Sequence, residues 1–169
     1  MSLHEHWVYE QADPAMMLFT AALRAWQMPI LPGQRILELG CNESDFLTRL
    51  HRTDGSLELH GVDARPWDGP AGHAPDGWTF TQGCAWDQAL FEPASFDWIL
   101  MLGALEHFGL GYYGDPLDHY SQGLQDRPNM TDSGDWRTIE ACAHWLKPGG
   151  GLYFDVPTNP ATNGVAGCS

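Results

Sequence analysis

Apolar positions fall in five short runs that stop at glycine, aspartate or proline, with helix-like or Pro/Gly-rich stretches between them. RILELG (35–40) halts at Gly40, the pattern of a strand buried on both faces. LELHGVD (57–63) alternates at first and ends in Asp63, and WTFTQG (78–83) ends in Gly83. FDWILMLGAL (96–105) is apolar almost throughout, as a central strand is, and GLYFDVP (151–157) predicts a fifth strand. Helical patterns alternate with these runs. Asp13-Pro14 caps and opens AMMLFTAALRAWQM, which ends before Pro29. DFLTRLHR (45–52) points Phe46, Leu47 and Leu50 inward, with Ser44 as its cap. WRTIEACAHWL (136–146) spaces Trp136, Ile139, Ala143 and Leu146 at helical intervals before the KPGG turn.

Strand–helix alternation predicts an α/β fold, Rossmann-like and doubly wound. Its sheet is mainly parallel, with helices on both faces. The expected division of residues 1–169 is a single domain: a helical segment 1–34, a core 35–157 and a small, polar tail 158–169. Residues 109–135 show neither period, and a stretch that long inside a compact domain is a candidate functional loop. Tyr112, Tyr113, Asp115 and Asp118 within it read equally as substrate contacts or as turn hydrogen-bonders.

Charge narrows the partners. Eight Lys and Arg against 22 Asp and Glu give a net charge of −14, with no basic stripe to neutralise phosphates or dock on anionic lipid. Nucleic acid and membrane are therefore not expected partners. No apolar run approaches the roughly 20 residues of a membrane span, and the N-terminus lacks a signal-peptide pattern. Four cysteines without paired spacing read as reduced thiols of a cytoplasmic protein, not as a disulfide framework or zinc site. No metal-ligand spacing stands out among the histidines.

In an open parallel sheet, ligands bind beyond the carboxyl ends of the strands. Glu38-x-Gly40 precedes a tight turn into a helix, where glycine admits close backbone approach and Glu38 can accept from an ammonium. Asp63 lies 23 residues after Gly40, one helix and one strand on, and suits a ribose diol. Glu106-His107 follows the fourth strand, and His107 is the natural general base near neutral pH, with Glu106 beside it.

ILELGCNES, GVD, FTQGCA, FDWILMLGALEHFG and WLKPGGGLYFDVP, in that order, resemble the motif series of class I S-adenosyl-L-methionine (SAM) methyltransferases over about residues 35–157. More narrowly, GCNES with EHFGLGYYGDPLD is similar to a group of poorly characterised bacterial methyltransferase-like proteins. The resemblance implies SAM as cofactor. Glu38, Gly40, Cys41, Asn42 and Ser44 would then form the loop at its methionine end. Asp63 would hold the ribose, with Ala64 and Arg65 beside the adenine. Gly83, Cys84 and Ala85 match a segment that reaches the adenine amine. Leu102 and Gly103 would flank the methionine part. Asn42 and Ser44 stand where most members have glycine, and Cys84 stands where they have aspartate, a role Asp87 is a candidate to fill. Trp67, Trp78 and Trp86, near strand ends, are candidates to stack on adenine.

The function expected is in-line methyl transfer to a small molecule, with His107 as the candidate base where the acceptor needs one and Glu106 as its orienting neighbour or a cap of the next segment. Two alternatives stand beside it. One is a SAM-binding scaffold that keeps the fold without turnover. The other is a nucleotide-dependent oxidoreductase, disfavoured because ELGCNES is not GxGxxG. The family fold has seven strands. Only 12 residues follow Pro157, so the final hairpin is expected to be missing and the open edge to favour a homodimer.

Overall fold

The computed structural model describes residues 21, 23, 29–42, 44–67, 75–110 and 133–156. The segment 111–132, with its tyrosines and aspartates, and the tail lie outside the described residues. So does the N-terminal helix, save Ala21 and Leu23, which are helical.

Five strands form one sheet: β1 (Arg35–Leu39), β2 (Glu58–Asp63), β3 (Thr79–Gln82), β4 (Phe96–Leu102) and β5 (Leu146–Asp155). Helix α1 (Phe46–Thr53) joins β1 to β2, and helix α2 (Gly134–Trp145) precedes β5. The spatial order is β3-β2-β1-β4-β5, every pair is parallel, and Leu37 of the central β1 sits opposite both His60 and Ile99. The Rossmann-like α/β architecture expected from the alternation is the one observed.

Alternate residues of the buried strands feed two cores, as a sheet covered on both faces requires. Ile36, Leu59, Trp98 and Leu100 pack with Phe46, Leu47 and Leu50 of α1 on one face. Leu37, Leu39, Ile99 and Met101 pack with Ala141, Cys142 and Trp145 of α2 on the other. Trp98 and Trp145, 2% and 0% exposed, are the largest fillers of the two cores.

The phase of α2 differs from the spacing read in its sequence. Trp136 is 47% exposed and Ala143 also faces outward, while Thr138, Ala141, Cys142 and Trp145 turn inward. Thr138 tolerates burial because its hydroxyl donates to the Gly134 carbonyl at 2.7 Å. The Trp145 indole donates to the Gln88 carbonyl at 3.2 Å and meets Phe91 edge-on. The KPGG turn also differs. It is a bulge within β5, whose pairing jumps from Phe96↔Leu146 to Trp98↔Gly151. Lys147 anchors it through a 2.7 Å bond to Asp97.

The chain winds from β1 outward to β2 and β3, then crosses back to β4 and β5. The order therefore reverses between β1 and β4, and their carboxyl ends diverge into a crevice.

Candidate functional site

Gly40 ends β1 at φ +80, a left-handed conformation that a side chain resists. Its backbone also runs against the turn after β4: a Cβ there would lie 2.6 Å from the Cβ of Ala104. Its N–H donates to the Val62 carbonyl at 2.8 Å, which holds the ends of β1 and β2 together. Beyond it, Asp45 and not the expected Ser44 is the N-cap of α1, with no side-chain cap bond; Ser44, one residue earlier, accepts from the Phe46 N–H at 3.1 Å, and Asp45 pairs with Arg49 at 2.7 Å.

These ends enclose a cavity of about 440 Å³. Its floor and sides include Gly40, Ser44, Asp63, Ala64 and Arg65 from the β1 and β2 ends. Gly83 and Ala85 come from β3, and Leu102, Gly103 and His107 from β4. Ten of the fifteen residues predicted for the site thus line one cavity. Val62, Trp86, Ala104 and Phe108 join them. Among these only Trp86 was singled out from the sequence; the others are apolar residues beside strand ends, with no chemical signature.

Asp63 is the polar centre of the wall, only 6% exposed. Its Oδ2 accepts from the Asn42 N–H at 3.1 Å, and its Oδ1 from the N–H and Nε of Arg65 at 2.9 and 3.3 Å. It therefore ties the β1 loop to the β2 loop and neutralises Arg65. A carboxylate has about four acceptor sites, so one lone pair is left for a ligand hydroxyl.

Five predicted residues stand off the wall. Glu38 is buried at 1% exposure within β1, beneath the loop. Cys41 turns into the α1-side core, where a Cβ on Gly61 would come within 2.6 Å of its sulfur. Burial, and then the carboxylates of Glu38 and Asp63, push its thiol far above the usual range, so it is an inert packing residue. Asn42 braces the loop through a 3.0 Å bond from its amide to the Pro66 carbonyl. Cys84 is half-buried, and Asp87, its candidate replacement, spends its carboxylate on the Ala89 N–H at 3.1 Å. Glu106 lies behind His107, its Oε1 3.9 Å from His107 Nε2, too long for a hydrogen bond but within ion-pair range. Trp67 and Trp78 also belong elsewhere. They stack edge-on at 5.1 Å, and Trp78 donates to Thr48 at 3.0 Å on the α1 side.

The β4 end of the wall is held by a residue the sequence did not point to. The carboxylate of Asp155, the last residue of β5, accepts from the Gly103 N–H at 2.5 Å and fixes the turn that carries Leu102 to His107.

The fold is similar to that of solved Rossmann-like methyltransferases. Solved structures with this arrangement include a chain of the Haloferax volcanii complex between the Trm112 methyltransferase activator and a methyltransferase: 23% identity, TM-score 0.54, 80% of this chain and 50% of that one. A sugar N-methyltransferase from Streptoalloteichus is 16% identical with TM-score 0.55, over 89% of this chain and 50% of that one. Phosphoethanolamine N-methyltransferase 2 of Haemonchus contortus, in complex with SAM, is 20% identical with TM-score 0.51, over 79% and 26%. This chain thus spans half or less of the length of each. No family model matches the sequence, and no curated protein does.

The residues present fit a SAM-sized ligand. A cavity of about 440 Å³ lies within the range of about 300–1,000 Å³ for small-molecule sites. Its apolar Val62, Ala85, Trp86 and Phe108 line it together with the buried carboxylate of Asp63.

Proposed function

We propose that this chain is the cofactor-binding part of a SAM-dependent methyltransferase acting on a small molecule. The observation that supports it best is the cavity at the switch point of the sheet, lined by Gly40, Asp63 and His107. Asp63 accepts from the ribose, Ala64, Arg65, Gly83 and Ala85 frame the adenine, and Gly40, Ser44, Leu102 and Gly103 frame the methionine end. Glu38, Cys41, Asn42 and Cys84 support that loop system from behind. When bound, SAM supplies a methyl group on a sulfonium. His107, on the wall with its side chain 40% exposed, accepts the proton that the attacking O–H or N–H gives up. Glu106 is near enough to pair with the imidazole once it carries that proton. The rest of the catalysis is alignment of the acceptor with the methyl group.

Calorimetry with SAM, S-adenosylhomocysteine (SAH) and NAD tests the proposal. Heat with the two sulfur compounds and none with NAD is expected; the reverse would establish the oxidoreductase alternative. Across a panel of small acceptors, His107→Gln should lower turnover by about 10²–10⁴-fold.

A second reading is a SAM-binding scaffold without turnover. It is favoured by Cys84 and Asp87: the loop after β3 places no carboxylate toward the adenine. SAH binding with no turnover on any acceptor would support it. A homodimer through β5, the outermost strand among the described residues, beside which Phe154 and Val156 are 46% and 43% exposed, belongs to the same proposal and is read by sedimentation.

A further inference from the structure

Among the described residues, cofactor contact and proton transfer leave a cation beside the cavity, Arg137, without a role. Arg65 is committed to Asp63 at 3.3 Å. Arg137, in the first turn of α2, has no carboxylate at ion-pair distance among the described residues. Its place is electrostatically adverse, because the N-terminal turn of a helix already carries partial positive charge. Its guanidinium lies over the ring of Trp86, with Cζ 5.2 Å from the centroid. Trp86 is 8% exposed and forms part of the cavity wall.

The same turn of α2 is fastened to the other side of the cavity. A Cβ on Gly134 would lie 2.5 Å from the backbone nitrogen of Gly109, so the first residue of α2 rests on the chain that directly follows His107 and Phe108. One helical turn therefore touches the Trp86 wall through Arg137 and the His107 wall through Gly134.

We propose that Arg137 is a positioning residue: it pins the Trp86 indole as a fixed wall against the adenine end of the bound cofactor, without touching the cofactor itself. The inference rests on the SAM reading of the cavity. Trp86 follows Gly83, Cys84 and Ala85, the stretch assigned to adenine. A cation held on a ring fixes the plane of that ring through its quadrupole. A pre-set aromatic plane lowers the ordering cost of stacking a base against it.

The test is SAH affinity by calorimetry on the full chain. Arg137→Met keeps an unbranched stem and removes the charge; it should weaken binding by about threefold to tenfold. Arg137→Lys should recover most of that loss, because it restores a cation over the ring. On a Trp86→Leu background, which has no ring, Arg137→Met should change affinity by less than about twofold. Melting temperatures of the ligand-free variants separate this from loss of fold, and Arg137→Gln replaces the Met variant if that one melts early. Wild-type affinity in Arg137→Met, or an equal loss on both backgrounds, would overturn the inference alone. No SAH binding by the wild type would overturn the cofactor reading and this inference with it.

Discussion

A methyl group added at Gly40 would meet Ala104 at 2.6 Å while the backbone sits at φ +80. Left-handed strain costs about 1–2 kcal/mol and overpacking about 1–3 kcal/mol. Gly40→Ala should therefore lose about 2–5 kcal/mol in denaturant unfolding, and SAH binding with it. An unchanged midpoint would mean that the turn after β4 yields freely. At Asp63 the balance is different, because one carboxylate serves two loops and the proposed ribose. Asp63→Ala removes the acceptor for Asn42 and Arg65, so SAH affinity should fall about tenfold or more and the melting temperature should fall too. Asp63→Asn keeps one acceptor oxygen and should lose less of both. Equal affinity in all three proteins would remove Asp63 from the site.

Among the elements, β5 shows how glycine and tryptophan set a register together. A Cβ on Gly151 would lie 2.2 Å from the Trp98 ring, which is itself buried in the α1-side core. Neither side has room to move, so Gly151→Ala should destabilise the fold by about 1–3 kcal/mol, read from a shift of the urea midpoint. The same variant should disturb the cavity, because Asp155 at the end of β5 holds Gly103 in place. Weaker SAH binding than the stability loss explains is the expected sign. Wild-type stability would show that the bulge at Lys147–Gly150 can slide to absorb the change.

Across the whole molecule the two ends of the sheet do different work. The carboxyl ends form the cavity, and the amino ends carry a charge network. There Arg35 reaches Glu58 at 2.9 Å and His60 at 3.3 Å, and Asp97 joins the Arg35 backbone to Lys147. Burial, and then the Arg35 charge, hold the His60 pKa below its ordinary value, while Glu58 opposes them. The folded state therefore disfavours a proton that the unfolded chain accepts. Stability should be whole above the ordinary histidine pKa of about 6.5 and fall as pH drops below it toward the folded value. His60→Gln keeps an acceptor for Arg35 and removes the titration. Its stability should change less than the wild type's between about pH 7 and 5. Parallel slopes in the two proteins would assign the acid sensitivity to the carboxylates instead.

Much of this was legible in the chain itself. Apolar runs that stop at Gly40, Asp63, Gly83 and Leu102-Gly103 fixed the strands and their ends, because a parallel strand buried on both faces has no polar positions to spare. The strand ends then marked the residues that line the crevice. What the sequence could not carry is anything decided by packing between distant segments. The inward face of α2 depends on Thr138 satisfying its hydroxyl locally and on a pocket for Trp145. The position of Cys41 depends on the space left by Gly61, and that of Trp78 on Thr48, so neither reaches the cavity. Asp155 and Arg137 lie far along the chain from Gly103 and Trp86, the residues they support. Local pattern encodes strand, turn and strand end. Which side chains share a wall is set only when β1 and β4 are brought side by side and their ends diverge.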